Sequence, residues 1–64
     1  MPKTNVKVQL IGEDGNAFAI MGKVSKALRA EGYDTDFIKT YQLEAMSGDY
    51  NHLLQVTMDY VEVQ

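Results

Sequence analysis

Leu10-Ile11-Gly12-Glu13-Asp14-Gly15-Asn16-Ala17-Phe18 is the stretch whose reading decides the fold. On its N-terminal side Val6, Val8 and Leu10 alternate with Lys7 and Gln9, the period-2 pattern of a strand with one buried face. Gly12 to Gly15 is dense in turn formers and ends that run. Asn16 stands where a helix cap belongs, because its side-chain oxygen can accept from a free amide of the first helical turn. A strand that turns sharply into a helix is the expectation.

Beyond the turn, Ala17, Phe18, Ile20, Met21, Val24, Ala27 and Leu28 recur at helical spacing, with Lys23, Lys26 and Arg29 on the other side. Gly32 can close this helix in the left-handed conformation. Gly22 lies inside it at a cost of roughly 1 kcal/mol against alanine, which predicts close approach of another backbone. Asp34 or Thr35 caps a second helix carrying Phe37, Ile38, Tyr41 and Ala45 on one face, and Gly48 ends it. Asp49 caps a third, where Tyr50, Leu53, Leu54, Thr57, Met58 and Val61 fall at spacings of three and four.

The C-terminal stretch supports two periods. Leu54, Val56, Met58 and Tyr60 also alternate as a strand would. The Asp49 cap and the Leu53-Leu54 seam favour a helix to about Asp59, with Tyr60-Val61-Glu62-Val63 as a short strand. That strand supplies a partner for the backbone groups of the N-terminal one. The predicted fold is therefore α+β in the order βαααβ. It pairs the N- and C-terminal short strands against a three-helix layer, in one domain spanning residues 1–64 with residues 1–5 frayed.

Composition narrows the function classes. A chain of 64 residues has one core and buries only about 60% of its unfolded surface. It contains no cysteine, so neither disulfides nor a thiolate metal site can brace it. At 45% hydrophobic and 23% charged residues it reads as an ordinary folded domain. No apolar run approaches the ~20 residues of a membrane span and no signal-peptide pattern opens the chain, so a cytoplasmic location is expected. A net charge of −3 works weakly against non-specific nucleic-acid binding.

Four sets of residues carry candidate chemistry. Gly12, Glu13, Asp14, Gly15 and Asn16 have the strand–turn–helix layout of a ligand loop. Neither a GxGxxG nor a Walker A pattern is present, the two acids repel anions, and too few oxygen ligands are in view for Ca²⁺ or Mg²⁺. The expected reading is a tight turn. His52, the one histidine, follows Asp49 by three residues, so the aspartate would lie one helical turn away and able to orient the imidazole. With no cysteine and no hydrolase motif, a histidine pairing with its helix cap is the expected account, and neither a catalytic residue nor a metal or cofactor is assigned.

Lys23, Lys26 and Arg29 form a basic set that nucleic acid could use, although no base-reading amide side chain is interleaved with it. A solvated helix face is the simpler reading. Tyr33, Tyr41, Tyr50 and Tyr60, with four methionines, are many for so small a core. Tyrosine pairs a large apolar body with a polar tip, which suits interfaces as well as core rims.

The runs Leu10 to Phe18 and Ser47-Gly48-Asp49-Tyr50-Asn51-His52-Leu53-Leu54 resemble a family of short bacterial and phage proteins. In that family a G-x-D-G-N-A-F stretch opens one helix and an S-G-D-Y-x-H-L-L stretch opens another. The resemblance covers nearly the whole chain and implies a stand-alone bacterial domain, with a mobile element as one origin it allows; it transfers no activity, ligand or site. The leading expectation is a small, non-enzymatic accessory protein that binds a protein partner or itself as a homodimer. The alternatives are nucleic-acid binding through Lys23, Lys26 and Arg29, and metal binding or catalysis at Gly12 to Asn16 or His52.

Overall fold

A computed structural model describes residues 2–10 and 15–64. Five elements follow in order: β1 (Lys7–Val8), α1 (Ala17–Ala30), α2 (Thr35–Ala45), α3 (Tyr50–Tyr60) and β2 (Glu62–Val63). This is the expected βαααβ order. The strands pair in parallel, Lys7 opposite Glu62 and Val8 opposite Val63.

The pairing reaches beyond the two strands. Leu10 N–H donates to the Gln64 carbonyl at 3.0 Å, while Lys3 and Thr4 amides donate to Asp59 and Tyr60 carbonyls at 2.7 and 3.1 Å. The expectation that residues 1–5 fray is corrected at Lys3 and Thr4. Thr4 is buried, and its hydroxyl donates to the Tyr60 carbonyl at 2.7 Å, so it caps the last turn of α3. Ile11, expected to follow the strand, lies outside the described residues.

Each helix begins as its cap predicts. Asn16 Oδ1 accepts from Phe18 N–H at 2.8 Å, Asp34 Oδ1 from Phe37 N–H at 2.8 Å, and Asp49 Oδ1 from His52 N–H at 2.9 Å. Helix α1 closes on Gly32 at φ 94°, with Gly32 and Tyr33 amides returning to the Arg29 and Leu28 carbonyls. That is the paired closure a left-handed glycine permits.

The core joins Val6 and Val8 to Ile20, Val24 and Leu28 of α1, Ile38 and Tyr41 of α2, and Leu53, Val56 and Tyr60 of α3. Two packing expectations are corrected. On α3 the buried residues are Leu53, Val56, Thr57 and Tyr60, leaving Met58 half exposed. Both faces satisfy spacings of three and four. The one that wins carries Tyr60 under α2, where its ring meets Tyr41 and Phe37 edge-on at 5.2 and 5.6 Å.

The second correction concerns Gly22. A Cβ built there would meet nothing within 4 Å among the described residues, so none of them makes the expected close approach.

Candidate interaction surface

Three of the four tyrosines are structural. Tyr41 and Tyr60 are buried, and Tyr33 stacks on Phe37 at 4.8 Å. The Tyr41 hydroxyl pairs with Thr57 Oγ1 at 2.8 Å, and the Tyr60 hydroxyl donates to Glu44 Oε2 at 2.8 Å. Burial pushes Tyr60 up to about 12, helped by the hydrogen bond and negative charge of Glu44 and by Asp59. Burial raises Tyr41 as well, against a smaller opposing effect of its bond to Thr57. Lys3 Nζ sits 4.5 Å over the Tyr60 ring, which fixes a cation on its face.

Tyr50 is the remaining one, 45% exposed at the start of α3, with its hydroxyl donating to the Gly15 carbonyl. It stands beside two other large exposed apolar side chains, Phe18 at 75% and Met46 at 53%. These three rim a groove of about 350 Å³, together with Met21, Ala45 and Leu53. A second depression, sharing Phe18, Met21 and Met46 with the first, is also lined by Gly22 and Gln42. Leu43, one turn before Met46 on α2, is also exposed.

The local sequence explains the surface. Asn16 fixes where α1 starts, so Phe18 falls at the edge of the buried arc. Turning about 100° per residue, it shares that edge with Ser25 and Arg29 and lies far from Val24 and Leu28. Ser25 Oγ accepts from Gln42 Nε2 at 2.9 Å, and the α2 residues that line depressions with the Phe18 ring are Gln42, Ala45 and, at its C-cap, Met46. Placing Phe18 with the core residues of α1 is thus a further correction. Its position beside Gly22 and Arg29 on the helical projection is the sequence signal that marks it.

The turn between α2 and α3 forms the groove floor. A Cβ on Gly48 would lie 2.7 Å from His52 Cγ, so only glycine fits over the imidazole. His52 Nε2 lies 3.0 Å from both the Glu44 carbonyl and Ser47 Oγ, and Ser47 donates to the same carbonyl at 2.7 Å. A carbonyl only accepts, so Nε2 carries the proton and its ring closes the end of α2. Asp49 bonds the His52 amide and not the imidazole, which corrects the expected side-chain pairing. With its proton spent on a carbonyl, Nε2 has no lone pair to offer Ser47 as a base.

Lys23, Lys26 and Arg29 do not form a single line. At about 100° per residue they fan over about 120° of the α1 circumference. Gly12, Glu13 and Asp14 of the candidate ligand loop lie outside the described residues, whereas Gly15 and Asn16 serve the Tyr50 hydroxyl and the α1 cap. Among the described residues, no group of three or more histidine or acidic side chains could hold a metal ion, and no helix is long and apolar enough to cross a membrane.

Comparison with known proteins yields no match among protein-family models, curated proteins or solved structures.

Proposed function

We propose that this chain is a small cytoplasmic accessory protein that works by protein–protein contact and not by catalysis. The observation that carries the reading is the Phe18 ring, 75% exposed on the rim of an apolar groove. A large ring held in water is costly unless another surface covers it, at about 25 cal/mol per Å² of apolar area. Phe18, Met46 and Tyr50 are exposed together around this groove, and an exposed apolar patch is where a partner surface gains most by binding. The groove takes an apolar side chain, and the capped ends of α1 and α3 hold its walls in place. The motif resemblance described above supports a bacterial or phage origin.

Affinity capture with the wild-type chain and with Phe18→Asp tests the proposal. Phe18 makes no contribution to the core, so the variant should keep its helical circular dichroism and lose the wild-type partners. An identical set of captured proteins from the folded variant would refute the role of this surface. Titration of labelled DNA and RNA at low salt, where phosphate attraction is strongest, tests the competing use of Lys23, Lys26 and Arg29.

A further inference from the structure

We infer that the outer edge of β1 is a second docking site, which takes an extended segment of another protein as a third strand of the sheet. In the existing ladder the Glu62 and Gln64 amides donate to the Val6 and Val8 carbonyls at 2.8 Å each. The Leu10 amide returns a bond to the Gln64 carbonyl at 3.0 Å. Successive residues of a strand aim their amides and carbonyls at opposite edges. Lys7 and Gln9 therefore turn theirs away from β2. Nothing among the described residues bonds the amide or carbonyl of either, and both residues are exposed.

This edge has a slot beside it. A groove of about 410 Å³ is lined by Asn5, Val6 and Lys7 on one side and by Ala27, Ala30 and Glu31 of α1 on the other. Among the described residues none from β2 or α3 lines it, so the groove lies on the side of β1 away from its partner strand. The two alanines keep the α1 wall low, which leaves room for a main chain to run alongside β1. Val6 faces the core, and a side chain on the core-facing side of an added strand enters between it and the alanines.

The hydrogen-bonding pattern specifies the occupant. Donors and acceptors that alternate along an extended backbone are matched by another extended backbone, whose main chain supplies affinity and whose alternate side chains supply specificity. On the exposed face Lys7 stands opposite Glu62. An acidic residue on the other flank of Lys7 is attracted in the same way across the new pair. The segment is thus a β-former with small apolar residues toward α1 and an acid toward Lys7. It comes from another protein, because both strands of a second copy are packed on helices of their own, β1 on α1 and β2 on α3. Neither is free to lie in a slot already walled by α1. A sheet of two strands is also marginal by itself, and a third strand is the addition that stabilises it. This site is separate from the groove at Phe18 and does not depend on it.

Amide-resolved NMR of the full chain, with a blocked Thr-Val-Glu-Val-Thr peptide as the probe, tests the inference. The Lys7 and Gln9 amides should move downfield during the titration, and their exchange with solvent should slow by about tenfold or more at saturation. Replacing the peptide glutamate with lysine should weaken binding. Lys7→Pro removes an outward amide that the ladder does not use, so it should keep the fold and lose the peptide. Ala30→Leu raises the wall at an exposed helical position and should lose it too, which decides the matter if the proline variant fails to fold. Phe18→Asp should bind the peptide as the wild type does. Lys7 and Gln9 amides that stay unmoved at millimolar peptide overturn the inference, as does undiminished binding by folded Lys7→Pro and Ala30→Leu. If the same amides move with protein concentration when no peptide is present, a second copy is the occupant and another protein is not.

Discussion

The buried pair of Tyr41 and Thr57 allows a quantitative test of how α2 and α3 are joined. Both residues are 0% exposed, and their hydroxyls lie 2.8 Å apart. Replacing Thr57 by valine keeps the shape of the side chain and strands the tyrosine hydroxyl in the core. An unsatisfied buried hydroxyl costs about 1–3 kcal/mol. Tyr41→Phe strands the threonine instead, at similar cost. The double variant leaves no hydroxyl unpaired, so it should be at least as stable as the worse single variant.

The effect is large for this chain. At about 0.05–0.15 kcal/mol per residue, its whole stability is about 3–10 kcal/mol. Each kcal/mol corresponds to about 4–8 °C for a domain of this size, so a 2 kcal/mol loss lowers Tm by about 8–16 °C. Urea unfolding of the wild type, both single variants and the double variant gives the coupling energy, expected at about 1–3 kcal/mol. Strictly additive losses would refute the view that the two hydroxyls satisfy each other.

Gly48→Ala should destabilise by about 1–3 kcal/mol, because its Cβ would sit 2.7 Å from His52 Cγ. His52→Ala would leave its own Cβ 2.8 Å from the new one, so the clash is removed only by combining Gly48→Ala with His52→Gly. Thermal melts should show that pair losing less than the sum, and additive losses would exclude the steric account. Stability should also fall in alkali. Tyr60 ionises near 10 when unfolded and near 12 when folded, so the folded state holds its proton longer. Its contribution is fully present below pH 10 and is lost as pH rises through 12. Tyr41, also raised, acts in the same direction. Tyr60→Phe should flatten the decline of the urea midpoint over this range, and an unchanged slope would contradict the assignment.

Much of the fold was legible because its signals are local. Asn16, Asp34 and Asp49 announce three helix starts through side chains that reach only two or three residues ahead. Gly32 announces a helix end through its own backbone angle. The alternation of Val6 and Val8 is equally short-ranged. What could not be read locally depended on the partner element. Whether Met58 or Tyr60 faces inward is set by α2, since both lie on acceptable faces of α3. The turn at Lys3 and Thr4 is fixed by carbonyls of Asp59 and Tyr60, at the far end of the sequence.

The candidate surface was less legible for the same reason. Phe18 looks like a core residue until the placement of α2 leaves its ring exposed. Tyrosine content pointed to interfaces in general, yet Tyr50 alone faces solvent. His52 attracted attention as a lone histidine, and its role as a helix stop depends on the Glu44 carbonyl of another helix.

The parallel pairing of β1 with β2 has a consequence for the order in which the molecule assembles. Helix contacts close short loops, whereas Lys7 meets Glu62 only after more than fifty intervening residues have been arranged. The entropy of closure grows with that separation, so the strands join after the helices have brought their ends together. Until then the N-terminal segment has only its packing against the helices to hold it. Residues 3 to 10 therefore act as a latch: they add the last hydrogen bonds and seal Val6 and Val8 over a helical layer that already exists. They should also be the first part to release, and amide exchange should run fastest along the ladder of Thr4, Leu10, Glu62 and Gln64.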